Sequence, residues 1–377
     1  MIAPTTAPDT VRVLLEDSYA TYPHSNGYLR GGRQVVLGIA GGRPSLVRVD
    51  LGDPHADHAI VVRPDQFELA ADSTFAGTSW SPEHATTPVP WFDIALHSDT
   101  LVTCWGNQLL TADAAGTDER LRTLYRPPTG WTLHELMSIS GDGRTAYVSE
   151  SDGREWVLRS VAVGDGDTEE LLRASWHANH IHPVPADESW LMFSHEGPAS
   201  TIGDRMWAMH PTLAPGGRVT VDQRALSDAE TPLSIGHERA RFDCAGAVVV
   251  AYGESPAGPR GLYETFLDGR APRLVSAGDR DWHCGVSRDG TRMVVDTTGP
   301  FSRPGRGWID AGSHSSIVLV DPTSGARREL ARTGFIGHPY HPHPSFTPDG
   351  QAVVFNHVQY ADDGATIVRR GAAIVAV

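Results

Sequence analysis

The sequence predicts an all-β chain, folded as a seven-bladed β-propeller closed by an N-terminal strand in its last blade. Two observations carry the fold class. A tight Asp-Gly or Gly-Gly turn followed by an apolar, β-branched run recurs along the chain, and a 3.6-residue helical period is almost absent. Closure rests on a further observation: the last repeat ends one strand short, while an unassigned strand-like segment precedes the first.

In chain order the turns read LRGGRQVVLG around Gly32, LHSDTLVTCW near Asp99, SGDGRTAYVS around Gly143 and PADESWLMFS near Ser189. They continue with DCAGAVVVAY around Gly246, SRDGTRMVVD around Gly290 and TPDGQAVVFN around Gly350. Successive turns stand 44 to 67 residues apart, the length of a four-stranded blade. The blades are expected at roughly 20–58, 59–126, 131–175, 177–228, 234–278, 281–333 and 337–377, the last completed by 11–15. After Gly350 the chain holds VVF and AAIVAV, so VRVLL at Val11–Leu15 is expected beside Ile374–Val377 as the missing outer strand. That pairing removes the open edges a ring of sheets would otherwise carry. A rival reading divides the chain into two β domains at the Pro/Gly-rich stretch 211–217.

Composition narrows the function classes. The 377 residues are 40% hydrophobic and 20% charged, enough to bury a core, and 39 Gly with 27 Pro fit a turn-rich fold. The 46 acidic against 31 basic residues leave a net charge of −15, which speaks against nucleic acid or an anionic membrane as partner. A small anionic substrate stays compatible, because a metal or a few arginines make a local positive pocket. Cys104, Cys244 and Cys284 are odd in number and widely spaced, so neither a disulfide framework nor a zinc ribbon is expected. No basic-then-apolar leader and no 18-residue apolar run is present, and a cytoplasmic location is expected.

Histidines stand at matched offsets before the hairpins. His182, His283 and His343 lie seven residues before a turn glycine or its equivalent; His134, His180, His237 and His341 lie nine before; His24 lies eight before. These offsets put them at the start of innermost strands, at one end of the central channel. Any one alone reads as well as a hydrogen-bonded turn residue. The densest group is GHPYHPHP, where alternation is expected to turn His341 and His343 to one side of a strand, with His338 folding over them. With His283 from the preceding blade they read as a site for a divalent metal, Mn, Fe, Ni or Zn. Cys284 is expected on the opposite face.

A second informative stretch is FSHEGPASTIGDRMW, 193–207, in which Arg205 offers a planar fork for a carboxylate or forms an ordinary ion pair. His237, in SIGHERARFD, stands among Glu238, Arg239 and Arg241, where neighbouring guanidinium charge disfavours the imidazolium and leaves a neutral base.

In these segments, HIHPVPADESWLMFSHEGP…DRMW, GHERARFD, WHCGVSRDG and HPYHPHPSFTPDG, the chain resembles the oligogalacturonate lyases of polysaccharide lyase family 22. The likeness covers roughly 177–357 well, and the first half only as propeller repeats. It implies a seven-bladed propeller with Mn²⁺ held by three histidines and a glutamine, cleaving short galacturonides by β-elimination. The ligand histidines fall at His283, His341 and His343, the glutamine position at His338, the base at His237 and the substrate arginine at Arg205. An imidazole in place of an amide is a departure from the family pattern and bears on the choice of metal or substrate. His180 and His182 are added as substrate-binding residues, with His180 or a water assisting the leaving oxygen. Two alternatives stay open: a metal enzyme for glucuronides or another uronic-acid derivative on the same scaffold, and a non-catalytic interaction propeller.

Overall fold

The computed structural model describes residues 11–40, 43–53, 57–70, 89–199, 202–210, 218–219, 233–253, 255–256, 258–298 and 314–377. Among the described residues seven four-stranded antiparallel sheets follow one another, six of them simple meanders with the first strand innermost and the last completed at its outer edge by the N-terminal strand. One short helix, Pro64–Ala70, follows the first blade; it buries Phe67, whose carbonyl accepts a hydrogen bond from Trp105 Nε1 at 2.9 Å. Four of the five turn glycines read from the sequence carry the left-handed backbone their hairpins need, with φ of 72° at Gly32, 78° at Gly143, 70° at Gly290 and 69° at Gly350, whereas Gly246 begins a strand.

The last blade closes as expected, with a shifted register. Strand Arg12–Glu16 pairs with Ile367–Ala376, Arg12 opposite Ile374 and Glu16 opposite Gly371, so it lies against 371–374 rather than 374–377. The proposed domain boundary at 211–217 lies outside the described residues. The strands on either side of it, Met206–Met209 and Arg218–Val219, pair with each other in one sheet, Trp207 opposite Val219, which speaks against a break there.

Apolar clusters join neighbouring blades: Val248, Val250 and Leu262 of the fifth pack with Cys284, Val286, Met293 and Val295 of the sixth. Each such fully buried side chain contributes about 1.5–3 kcal/mol of transfer free energy. Near the axis a polar contact crosses every junction. Asp93 accepts the main-chain N–H of Asn26 at 2.6 Å and of Ile139 at 3.0 Å, tying the first three blades. Ser138 Oγ donates to Ile181 O, Ser194 Oγ to Glu238, Cys284 Sγ to His237 O, His343 N–H to Asp296, and Ala20 N–H to Asn356. These contacts hold one end of the channel in register, and the histidines lie there.

Candidate metal centre and channel site

Hydrogen-bond register shows which histidines are equivalent. The first hairpins of blades four to seven close with N–H groups of Val184, Arg241, Ser287 and Thr347. Four residues before each stands a histidine: His180, His237, His283 and His343. The sequence offsets grouped them differently, because Gly246 lies on its strand rather than in the turn and Ser189 replaces a turn glycine. His180, His237 and His283 each sit in a β-bulge of the innermost strand, at 179–182, 236–239 and 281–284. His180, His237 and His343 are left-handed, with φ of 56°, 52° and 46°. A bulge aims a side chain out of the regular alternation, and strained backbone of this kind gathers at functional sites.

His341 and His343 therefore do not share a strand face by alternation. The innermost strand of the last blade is only Ser345–Phe346, and both histidines precede it in irregular chain stiffened by Pro342 and Pro344. They nevertheless meet His283: the potential ligand atoms of His283, His341 and His343 lie within 4.8 Å of one another, and all three residues are buried. Nitrogens at about 2.0–2.3 Å from one first-row ion stand about 3–4.6 Å apart, so three donors this close together are positioned to share an ion. The donors fit a metal chemically. His283 Nε2 and both ring nitrogens of His343 are buried without a hydrogen-bond partner among the described residues, a costly state that an ion removes. His338 lies beside this triad, its ring centre 4.0 Å from that of His341 and 5.2 Å from that of His343, outside the three whose donor atoms converge.

One carboxylate that sequence reading missed organises the cluster. Asp296 Oδ2 accepts from His283 Nδ1 at 2.8 Å and from the His343 N–H at 3.1 Å, while Oδ1 accepts the His283 N–H at 2.7 Å. Because a carboxylate bond at Nδ1 fixes the tautomer, His283 presents its Nε2 lone pair to the cluster. The available signal was SRDGTRMVVD, in which an aspartate ends an otherwise apolar second strand.

His237 adjoins the cluster, its ring centre 4.1 Å from that of His283. Its Nδ1 lies 2.7 Å from Trp282 O, so Nδ1 carries the proton and Nε2 is the free base position. Burial first, then the neighbouring His283 and Arg205, hold its pKa well below 6.5, and it is neutral at pH 7. Tyr22 and Tyr252 are phenols close by that could in principle lose a proton. Burial raises both well above 10, with Glu196 and Glu238 adding to it, so they stay protonated phenols. Among these three, only His237 is equipped as a base near neutrality.

Arg205 is buried and ion-paired: its Nη2 lies 2.6 Å from Glu196 Oε1, and His180 Nε2 lies 3.2 Å from the same oxygen. Its Nε has no hydrogen-bond partner among the described residues. His180 is held neutral by burial, then by Arg205 and His237. His182 donates Nδ1–H to His180 O at 2.7 Å and stacks on His24, ring centres 5.1 Å apart. Tyr22, which sequence reading also passed over, packs against this whole ring. Its ring centre lies 4.9 Å from that of His24 and 5.2 Å from those of both His180 and His343. The structure thus brings His180, His182, Arg205, His237, His283, His338, His341 and His343 to one end of the channel. His134 stands apart, with its Nε2 3.1 Å from Asn179 Nδ2.

No protein-family model matches the chain. The oligogalacturonide lyase of Pectobacterium atrosepticum is 21% identical over 276 residues, covering 66% of this chain and 68% of its own. Among solved structures, an oligogalacturonate lyase in complex with manganese superposes with a TM-score of 0.72 at 18% identity, over 98% of this chain and 97% of that one. An oligogalacturonate lyase from Vibrio parahaemolyticus gives 0.74 at 16% identity, over 98% and 94%. In sequence and in the whole seven-bladed architecture, the chain resembles oligogalacturonate lyases.

Proposed function

We propose that this chain is a divalent-metal-dependent carbon–oxygen lyase that cleaves oligogalacturonides by β-elimination, leaving a 4,5-unsaturated uronide. The observation that carries the reading is the convergence of His283, His341 and His343 beside a neutral, tautomer-fixed His237. The resemblance to oligogalacturonate lyases, one of them a manganese complex, supports both the substrate class and Mn²⁺ as the metal.

The three histidines would hold the ion, with His338 beside them as the nearest candidate for a fourth position. A bound divalent cation supplies Lewis-acid neutralisation of the substrate carboxylate, which makes the adjacent C5–H acidic. His237 Nε2 accepts the C5 proton; the C–H electron pair forms the C4–C5 double bond as the C4–O pair departs with the 4-O-linked sugar, whose oxygen takes a proton from a water or His180. Arg205, held by Glu196, presents cationic charge to the uronate while keeping its own position fixed. Burial keeps His180 and His182 uncharged beside the leaving sugar, suited to hydrogen bonding with its hydroxyls.

We also place the enzyme in the cytoplasm; the free thiols of Cys104, Cys244 and Cys284 support that reading.

The test is incubation of the metal-loaded protein with oligogalacturonides, following absorbance of the conjugated double bond and the mass of the products. Unsaturated products without added water are expected. Products heavier by water mean hydrolysis and overturn the mechanism. Turnover of glucuronides alone transfers the same chemistry to another sugar.

A further inference from the structure

Apart from the histidine ring lies a small, partly open cleft, with a cavity volume of about 20 Å³, lined among others by Asn26, Tyr28, Arg239, Phe242, Arg288 and Ser345. None of the histidines lines it. On three blades its lining residues follow the histidines along the chain: Arg239 two after His237, Gly285 two after His283, Ser345 two after His343. Its lining residues are therefore a set distinct from the histidine ring, and the cleft is a separate chamber.

Its chemistry is opposite to the rest of the molecule. The chain carries a net charge of −15, yet no carboxylate lines this cleft and two guanidiniums do. Both lie against the same ring, Arg239 Cζ at 5.7 Å and Arg288 Cζ at 5.8 Å from the centre of Phe242. Arg239 makes one long hydrogen bond, 3.4 Å to Ser25 O, and Arg288 makes no hydrogen bond or ion pair among the described residues. Asp93, the carboxylate that acts on Arg239 through space, has its oxygens engaged by the N–H groups of Asn26 and Ile139. Across the cleft the hydroxyls of Tyr28 and Ser345 stand 3.4 Å apart, loosely held and able to donate. Partly buried guanidinium donors left without an acceptor carry a desolvation cost that an oxyanion offsets, in the planar geometry a carboxylate or phosphate matches.

We propose that this chamber is a second anion site, taking one small oxyanion between Arg239 and Arg288 with Tyr28 and Ser345 as further donors. A sugar-acid carboxylate and inorganic phosphate share that chemistry. The site stands independently of the lyase reading, because none of its residues belongs to the proposed catalytic set.

The test is calorimetric titration of the metal-loaded protein with inorganic phosphate and, separately, with D-galacturonate. Saturable binding of at least one is expected, with Arg288→Gln weakening it roughly tenfold or more and Arg288→Lys retaining part of it. Metal content and melting temperature are followed in each variant to confirm the fold, and Arg239→Gln serves as a second probe. Two results would overturn the proposal: no binding of either anion at tens of millimolar, or binding that Arg288→Gln and Arg239→Gln leave undiminished. A galacturonate signal that disappears in Arg205→Lys but persists in Arg288→Gln belongs to the histidine end and also counts against it.

Discussion

Replacing Asp296 with asparagine isolates what one buried carboxylate does for two metal-binding histidines. Asp296 accepts three hydrogen bonds: the His283 N–H on Oδ1, and both His283 Nδ1 and the His343 N–H on Oδ2. Asparagine keeps the shape but exchanges one accepting oxygen for a donating NH₂. In either orientation at least one buried donor then faces another donor, a cost of about 1–3 kcal/mol. At 1.4 kcal/mol per tenfold, and in line with the usual effect of losing such a partner, the Kd for Mn²⁺ should rise about 10- to 100-fold. Electron paramagnetic resonance of free Mn²⁺ in equilibrium with the protein measures this without reference to turnover. Saturating Mn²⁺ should restore much of kcat, because the residues around the reacting atoms are intact. A variant that binds Mn²⁺ within twofold of wild type, but melts earlier, would reduce Asp296 to a fold-stabilising residue and refute the reasoning.

Four further outcomes are expected. His343→Ala should lose stoichiometric metal and turnover together, read by elemental analysis alongside the absorbance assay; full metal retention would mean the cluster has been misread. His237→Ala should keep fold and metal while turnover falls about 100- to 10,000-fold, the usual effect of removing a positioned base; wild-type turnover would exclude it as the base. Arg205→Ala is a poor probe of binding, because stranding the buried Glu196 costs about 3–5 kcal/mol, so Arg205→Lys, with a raised KM and a retained melting curve, is the informative change. Finally, His24, His134 and His177 are held neutral in the fold chiefly by burial, His177 down to about 4. Unfolded, each takes up a proton near pH 6.5, so stability is complete above that pH and is lost as pH falls from 6.5 through the folded values. The slope is about 1.4 kcal/mol per pH unit for each histidine. Urea midpoints of the chelator-treated protein should therefore fall steeply from pH 7 to 5; a flat profile would contradict the assignment.

The propeller was legible because its signals are local. Asp-Gly turns demand left-handed glycine, β-branched runs demand strands, and VRVLL was the one strand left to complete the last blade. The cluster was legible as a set of residues, although its geometry was not. Counting back from glycines misgrouped the histidines, since hairpin lengths differ between blades and only hydrogen-bond register aligns His180, His237, His283 and His343. The bulges that aim three of them have no sequence signature a period-2 reading can detect. Asp296 and Tyr22 were hidden for another reason: an aspartate at a strand end and a tyrosine in a loop are ordinary residues until the fold places them beside the ligands.

The closing strand also sets the order in which the molecule can assemble. Arg12 and Ile374 are partners about 360 positions apart, a separation whose closure entropy must be met before the contact returns anything. Strand Arg12–Glu16 is made before every other strand of the propeller, yet it has no partner until Ile367–Ala376 emerges. His341 and His343 belong to that same final blade, whereas His180, His237 and His283 are synthesised earlier. The channel can therefore acquire its arginine and its base during synthesis, but the metal cluster forms only when the ring shuts. A chain lacking the last blade would carry most of the site's residues and none of its ion, so metal uptake would report closure of the ring.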